Sequence, residues 1–232
     1  MSQNFSVRHF IMIPFEDPKF LENYDNFCNI LKSYGPKNFD EDLLQKQSKL
    51  HISVLIFELH NDQNKINKVC TILKDIQDEI KKISAGDITY KFGGYDAFDS
   101  FKQARVVYSK MVEDSSFSKL EQIIDLVIKR LLKDGIISEN ELDGLHVTKE
   151  GSSENPFYKI EMHLTLLNAT FLNKVLKKQN KRTIKSFDAT YIQDCIQGVK
   201  LADCPLKKID FCVLREDKKI GKYEVVQSFD LV

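Results

Sequence analysis

Leu50-His51-Ile52-Ser53-Val54-Leu55-Ile56-Phe57-Glu58-Leu59 is almost wholly apolar or β-branched and turns polar at His60-Asn61-Asp62. A run of that kind reads as a largely buried strand, entered through an imidazole and a hydroxyl. Met162-His163-Leu164-Thr165-Leu166-Leu167-Asn168-Ala169-Thr170-Phe171 has the same entry, and predicts a second strand from about Tyr158 to Phe171. Side chains alternate across a strand, so His51 and Ser53 share a face about 7 Å apart, as do His163 and Thr165.

Outward from the first of these segments, Phe5 to Ile13 predicts a strand that Pro14 ends, because proline cannot donate to a ladder. Phe20, Leu21, Tyr24, Phe27, Cys28 and Leu31 recur at helical spacing and stop before Gly35-Pro36. Ile66, Val69, Cys70, Leu73, Ile76, Ile80 and Ile83 predict one further helix, with Gly86 just past its end. Two strands follow, Thr89 to Phe92 and Ala104 to Met111, with Gly93-Gly94 expected to turn between them, and then a helix over Phe117 to Leu132 ended by Gly135.

A short run at Leu145 to Thr148 and a polar loop at Gly151 to Pro156 lead into the second histidine strand. A helix near Ala189 to Ile196 and two strands, Lys207 to Leu214 and Lys222 to Phe229, close the pattern. Each half mixes strands with helices and holds one histidine-bearing strand. With no Pro/Ser-rich linker between the halves, residues 1–232 read as a single bilobal α+β domain.

Thirty-four basic and 34 acidic residues cancel, so any electrostatic recognition must be local. The apolar share of 42% is enough for a substantial core. Five cysteines without a C-x-x-C pair argue against a disulfide framework or a zinc knuckle. No stretch approaches the roughly 20 apolar residues of a membrane span, and MSQNFSVRHF has no apolar signal region, so no membrane association is expected. The expected location is cytoplasmic or nuclear.

If the two strands meet across a groove, the imidazoles can flank a phosphorus centre. One then takes a proton from the attacking oxygen while the other protonates the departing one, a pair of tasks suited to a group titrating near neutrality. Ser53 and Thr165 would give hydrogen bonds to the non-bridging oxygens. The scheme needs no metal and no cofactor. His146-Val147-Thr148 satisfies the same H-x-[ST] triplet but runs into Lys149-Glu150-Gly151 rather than an apolar strand, and is set aside as structural or surface. Spacing alone suits two satisfied core histidines equally well.

The pairing of LHISVLIFEL with MHLTLLNATF, however, resembles the two H-x-[ST] signatures of the LigT-like 2H phosphoesterase superfamily. Within it the likeness is strongest to the group holding the phosphoesterase domain of activating signal cointegrator complex subunit one and the central domain of A-kinase anchoring proteins. It extends over RHFIMIPF, ARVVYSKM, SFDATYIQ and DFCVLREDKKIGKYEVVQSFDL in the same order. The resemblance implies two antiparallel sheets forming a concave cleft with helices outside. It also implies catalytic roles for His51 and His163 and phosphate-binding roles for Ser53 and Thr165. No KH-type segment is read ahead of the domain and no kinase-anchoring helix after it, so the partners of those larger proteins are not carried over.

Other candidates for substrate contact are weaker. Lys177, Lys178, Lys181 and Arg182 belong to a run of six basic residues between Phe171 and Phe187 that could hold an RNA backbone at the cleft rim or be a solvated loop. Arg105 could meet phosphate charge or be an ordinary surface arginine. Phe15, Tyr95 and Phe98 could stack on a base or pack in the core. The expected activity is metal-independent turnover of a 2′,3′-cyclic phosphate or of an RNA 3′ end, with RNA or a nucleotide as substrate. The alternatives are a nucleoside monophosphate-binding module without useful turnover and an interaction subunit.

Overall fold

A computed structural model describes residues 8–36, 39–85, 88–142, 145–195, 199–217 and 219–231. Phe5, Gly86 and Ile196, used above as ends of elements, lie outside them. In chain order the elements are β1 (Arg8–Pro14), α1 (Pro18–Tyr34), β2 (His51–Glu58), α2 (Gln63–Asp75), α3 (Gln77–Ser84), β3 (Thr89–Tyr90), β4 (Phe92–Phe98) and β5 (Val106–Met111). There follow α4 (Ser115–Lys133), α5 (Glu139–Leu142), β6 (Val147–Gly151), β7 (Pro156–Ile160), β8 (His163–Asn168), α6 (Ala169–Lys178), α7 (Thr190–Cys195), β9 (Cys204–Pro205), β10 (Lys208–Glu216) and β11 (Tyr223–Asp230).

Two antiparallel sheets carry the histidine strands, one in the order β11-β10-β1-β2 and one in the order β4-β5-β8. Both histidine strands lie at the edge of their sheet, and the two edges run against each other. Short pairs, β3 with β9 and β6 with β7, complete the mixed α and β architecture. On the outer side α4 packs against α2, α3 and the β6-β7 hairpin, and α1 packs against α7.

The longer helices begin where side chains can satisfy the first backbone amides. Asp17, Asp62 and Asp114 cap α1, α2 and α4 by accepting from amides two and three residues on. The apolar stripes then bury Phe20, Tyr24, Phe27 and Leu31 of α1, and Leu120, Ile123, Ile124, Val127, Ile128 and Leu131 of α4, in one continuous core. Gly135 closes α4 with φ +67, a conformation that costs glycine nothing.

Three local readings of the sequence need correction. Gly93 and Gly94 do not turn between strands. They sit inside β4 at a register shift between Phe92 and Tyr95, Gly94 with φ +88, and the chain reverses at Asp99 to Ala104 instead. A glycine pair serves a bulge as well as a turn, and periodicity does not separate the two. The helix expected over Ile66 to Ile83 is broken at Ile76 into α2 and α3. The strand expected from Tyr158 to Phe171 is three elements: β7 ends at Ile160, β8 runs only to Asn168, and the Asn168 side chain accepts from the Thr170 amide to start α6.

Candidate active site

His51 and Ser53 open β2, and His163 and Thr165 open β8. The two strands share the burial sequence half-buried, buried, half-buried, buried, buried, half-buried. A single feature produces that rhythm in both. Ile11 pairs with Leu55 and Met12 with Ser53, which leaves Val54 as an extra residue; Val107 pairs with Leu167 and Tyr108 with Thr165, which leaves Leu166. Each strand therefore carries a β-bulge three residues after its histidine. The bulge sends two consecutive apolar side chains to the core and leaves the histidine and hydroxyl on the opposite face.

The two imidazoles are held alike. His51 Nδ1 lies 2.7 Å from the Lys49 carbonyl and His163 Nδ1 lies 2.8 Å from the Glu161 carbonyl, in each case two residues upstream. A carbonyl only accepts, so Nδ1 carries the proton in both rings and each neutral ring keeps its Nε2 lone pair. Ser53 Oγ lies 3.0 Å from His51 Nε2 and donates to it.

Each ring also sits edge-on between two aromatic side chains. Phe10 and Tyr223 flank His51 at 5.5 and 5.3 Å between ring centroids, and Phe98 and Tyr108 flank His163 at 5.1 and 5.2 Å. Phe10, Met12 and Cys212 form an apolar cluster of their own, with Ile56, Leu214 and Tyr223 against it, beneath His51 and apart from the main core. That floor desolvates the ring. Burial, helped by the nearby charge of His163 and opposed by the Lys49 carbonyl, pushes the His51 pKa down to about 4. β2 and β8 pack edge to edge, and His163 is near enough for its charge to bear on the His51 ring.

Charge around the site was only partly visible in the sequence. Lys49, with a side chain only 11% exposed, reaches Glu216 at 2.6 Å and lies 5.3 Å above the Tyr223 ring. Lys46 reaches the other Glu216 oxygen at 2.7 Å. Hydrogen bonds from Lys46 and Lys49 hold the Glu216 carboxyl down at about 2. Burial lowers the Lys49 pKa despite this carboxylate, and Lys46 and Lys174 add to the lowering. The only sequence signal for Lys49 is its place two residues before a histidine.

Of the remaining candidates, Phe98 is in the site, against His163 and Tyr108. Tyr95 is turned to the scaffold, where it stacks on Phe27 and donates to the Val199 carbonyl at 2.8 Å. Phe15 is corrected outright: at 2% exposure, enclosed by Phe20, Tyr90 and Phe92, it presents no face to a base. Arg105 is exposed and pairs with Asp99 at 2.6 Å beyond the end of β4. Lys177 and Lys178 end α6, Lys181 and Arg182 follow it, and all four are exposed. His146 is exposed with a left-handed φ of 56° at the start of β6, in the hairpin that packs on α4.

Among the described residues no helix is long and apolar enough to cross a membrane. Comparison with known families matches residues 7–231 to the AKAP7 2′5′ RNA ligase-like domain. Comparison with curated proteins finds no match. Among solved structures, LigT of E. coli in complex with 3′-AMP is 10% identical with a TM-score of 0.53, over 97% of this chain and 98% of that one. TT0787 of Thermus thermophilus is 12% identical with a TM-score of 0.54, over 97% of each chain. A further chain, described as a phosphoesterase, is 11% identical with a TM-score of 0.53, over 97% of this chain and 99% of its own. At such identities these likenesses establish the fold, two antiparallel sheets of the 2H phosphoesterase kind.

Proposed function

The chain belongs to the AKAP7 2′5′ RNA ligase-like domain family of the 2H phosphoesterase superfamily, and we propose that it is a metal-independent phosphodiesterase acting on 2′,3′-cyclic phosphates or RNA 3′ ends. The observation that carries this reading is the mirrored pair of histidines, each with Nδ1 committed to a carbonyl and Nε2 left for proton transfer. An in-line displacement at phosphorus needs a base on one side and an acid on the other, and two facing imidazoles supply both.

The geometry favours a division of labour. Burial keeps His51 neutral at pH 7, so its Nε2 takes the proton from the attacking water or hydroxyl. His163 serves as the acid in its imidazolium form: with Nδ1 donating to the Glu161 carbonyl, it carries a second proton on Nε2, gives it to the departing ribose oxygen and is left neutral. Ser53 and Thr165, on the same faces as their histidines, donate to the non-bridging oxygens as charge gathers there. With water as nucleophile the product is a phosphomonoester; with a ribose hydroxyl it is a new diester.

The test is incubation with 2′,3′-cyclic mononucleotides and with RNA oligomers differing at the 3′ end, with and without chelator. Turnover that survives exhaustive chelation supports the proposal. Turnover lost in chelator and regained on adding a divalent ion would refute the mechanism. Tight nucleoside monophosphate binding without any turnover would favour a binding module instead.

A further inference from the structure

The residues two places before the histidines are structural equivalents, since each gives its carbonyl to an Nδ1, yet one is Lys49 and the other Glu161. The charges around them follow suit. Beside Lys49 stand Lys46 and Lys174, against Glu216. Near Glu161 the Tyr108 hydroxyl lies 3.4 Å from its carboxylate, and Asp96 and Glu161 add to the burial that raises the Tyr108 pKa to about 12. Lys110 pairs with Asp96 there. Among these groups the His51 end is positive and the His163 end negative, although the backbone of the site is nearly symmetric.

Resting on the phosphodiesterase reading of this cleft, we infer that it takes a nucleic-acid strand in one direction, with the phosphate next to the reacting one bound by Lys49 and Lys46. Glu161 stands at the other end, where its carboxylate repels phosphate and so turns the neighbouring phosphate toward the lysines. Three features make the lysines a phosphate subsite. Their ammonium groups converge on the two oxygens of one carboxylate, at 2.6 and 2.7 Å, the arrangement a phosphate's oxygens would meet. The Lys49 side chain is largely buried and its ammonium lies over Tyr223, the ring that also touches His51, so the subsite adjoins the reacting centre. Glu216 occupies the lysines in the free protein and is the group that an incoming phosphate displaces.

A strand that ends in a 2′,3′-cyclic phosphate carries its next phosphate on the 5′ oxygen of the same ribose. The probes are therefore adenosine 2′,3′-cyclic phosphate with a 5′-hydroxyl and the same nucleotide with a 5′-phosphate, compared at low salt by kcat/KM. The wild type is expected to favour the 5′-phosphorylated probe by about tenfold, the worth of one charge-assisted contact. Replacing both lysines, Lys46→Gln with Lys49→Gln, brings the ratio toward one, and Glu216→Gln raises it by about threefold by removing the internal competitor. Lys46→Gln alone, at an exposed side chain, lowers the ratio part of the way and serves if the double variant does not fold.

A wild-type ratio at or below one, or a ratio unmoved in every variant, would overturn the inference while leaving the phosphodiesterase reading intact. If neither probe is turned over, the affinities of adenosine 3′-phosphate and adenosine 3′,5′-bisphosphate replace kcat/KM. A wild type that binds neither overturns both.

Discussion

The Ser53 hydroxyl lies 3.0 Å from Nε2 of His51, while Nδ1 of the same ring is given to the Lys49 carbonyl at 2.7 Å. Both ring nitrogens are thus engaged in the free protein. The contact that substrate must take over is the one to Ser53, whose hydroxyl then turns to a phosphate oxygen. Ser53→Ala is expected to lower kcat by about 10²-fold, the scale of losing one donor to a developing oxyanion, and Ser53→Thr to retain most of it. An alanine variant with unchanged kcat would remove Ser53 from the phosphate site. Thr165→Val and Thr165→Ser test the other strand in the same way.

Desolvation of His51 has a consequence for stability. Its pKa is about 4 in the folded protein, against about 6.5 for an unperturbed histidine in the unfolded chain. Above pH 6.5 neither state binds the proton and nothing is lost. As pH falls from 6.5 toward 4 the unfolded chain takes up a proton that the folded one refuses, and the fold weakens by up to roughly 3 kcal/mol. Urea unfolding at pH 7 and pH 4.5 should show the wild type losing roughly 2 kcal/mol more than His51→Gln. Equal losses would mean that the ring is not held neutral by its surroundings.

Much of this site was legible in the sequence because its rule is local. Histidine and hydroxyl two residues apart on an apolar strand must share a face, and that held for His51 with Ser53 and for His163 with Thr165. The bulges at Val54 and Leu166 were not legible, since an extra residue in a strand changes pairing with a distant partner and leaves no mark on local periodicity. Lys49 and Glu216 escaped for a similar reason: 167 residues separate them, and only the fold of the β10-β11 hairpin brings the carboxylate to the lysine. Phe15 failed as a base-stacking candidate because an aromatic side chain at a strand end is drawn into whatever cluster lies beneath, here Phe20, Tyr90 and Phe92.

Gly94 holds the β4 bulge at φ +88 with nothing within 4 Å of the place a Cβ would occupy. A side chain there meets backbone strain but no clash. Gly94→Ala should cost about 1–2 kcal/mol in denaturant unfolding and leave the substrate dependence of turnover unchanged. No loss of stability would argue against the left-handed conformation at that position.

The exposed basic residues after β8 make a separable prediction. Neutralising Lys177, Lys178, Lys181 and Arg182 together should weaken RNA binding and flatten its salt dependence, while a small cyclic mononucleotide is turned over nearly as before. Only a backbone extending beyond the cleft can reach them, and each phosphate they neutralise releases counterions. Affinities measured at several salt concentrations decide it: equal slopes for wild type and variant would make the run a solvated surface.

The central claim is that His51 and His163, and no third histidine, flank one reacting phosphorus. Turnover of a 2′,3′-cyclic nucleotide by His51→Ala, His163→Ala and His146→Ala tests it directly. The two site variants should each fall by about 10²–10⁴-fold, the usual loss on removing a general acid or base, with His146→Ala close to wild type. Near-normal turnover in either site variant, or the largest loss in His146→Ala, would contradict it.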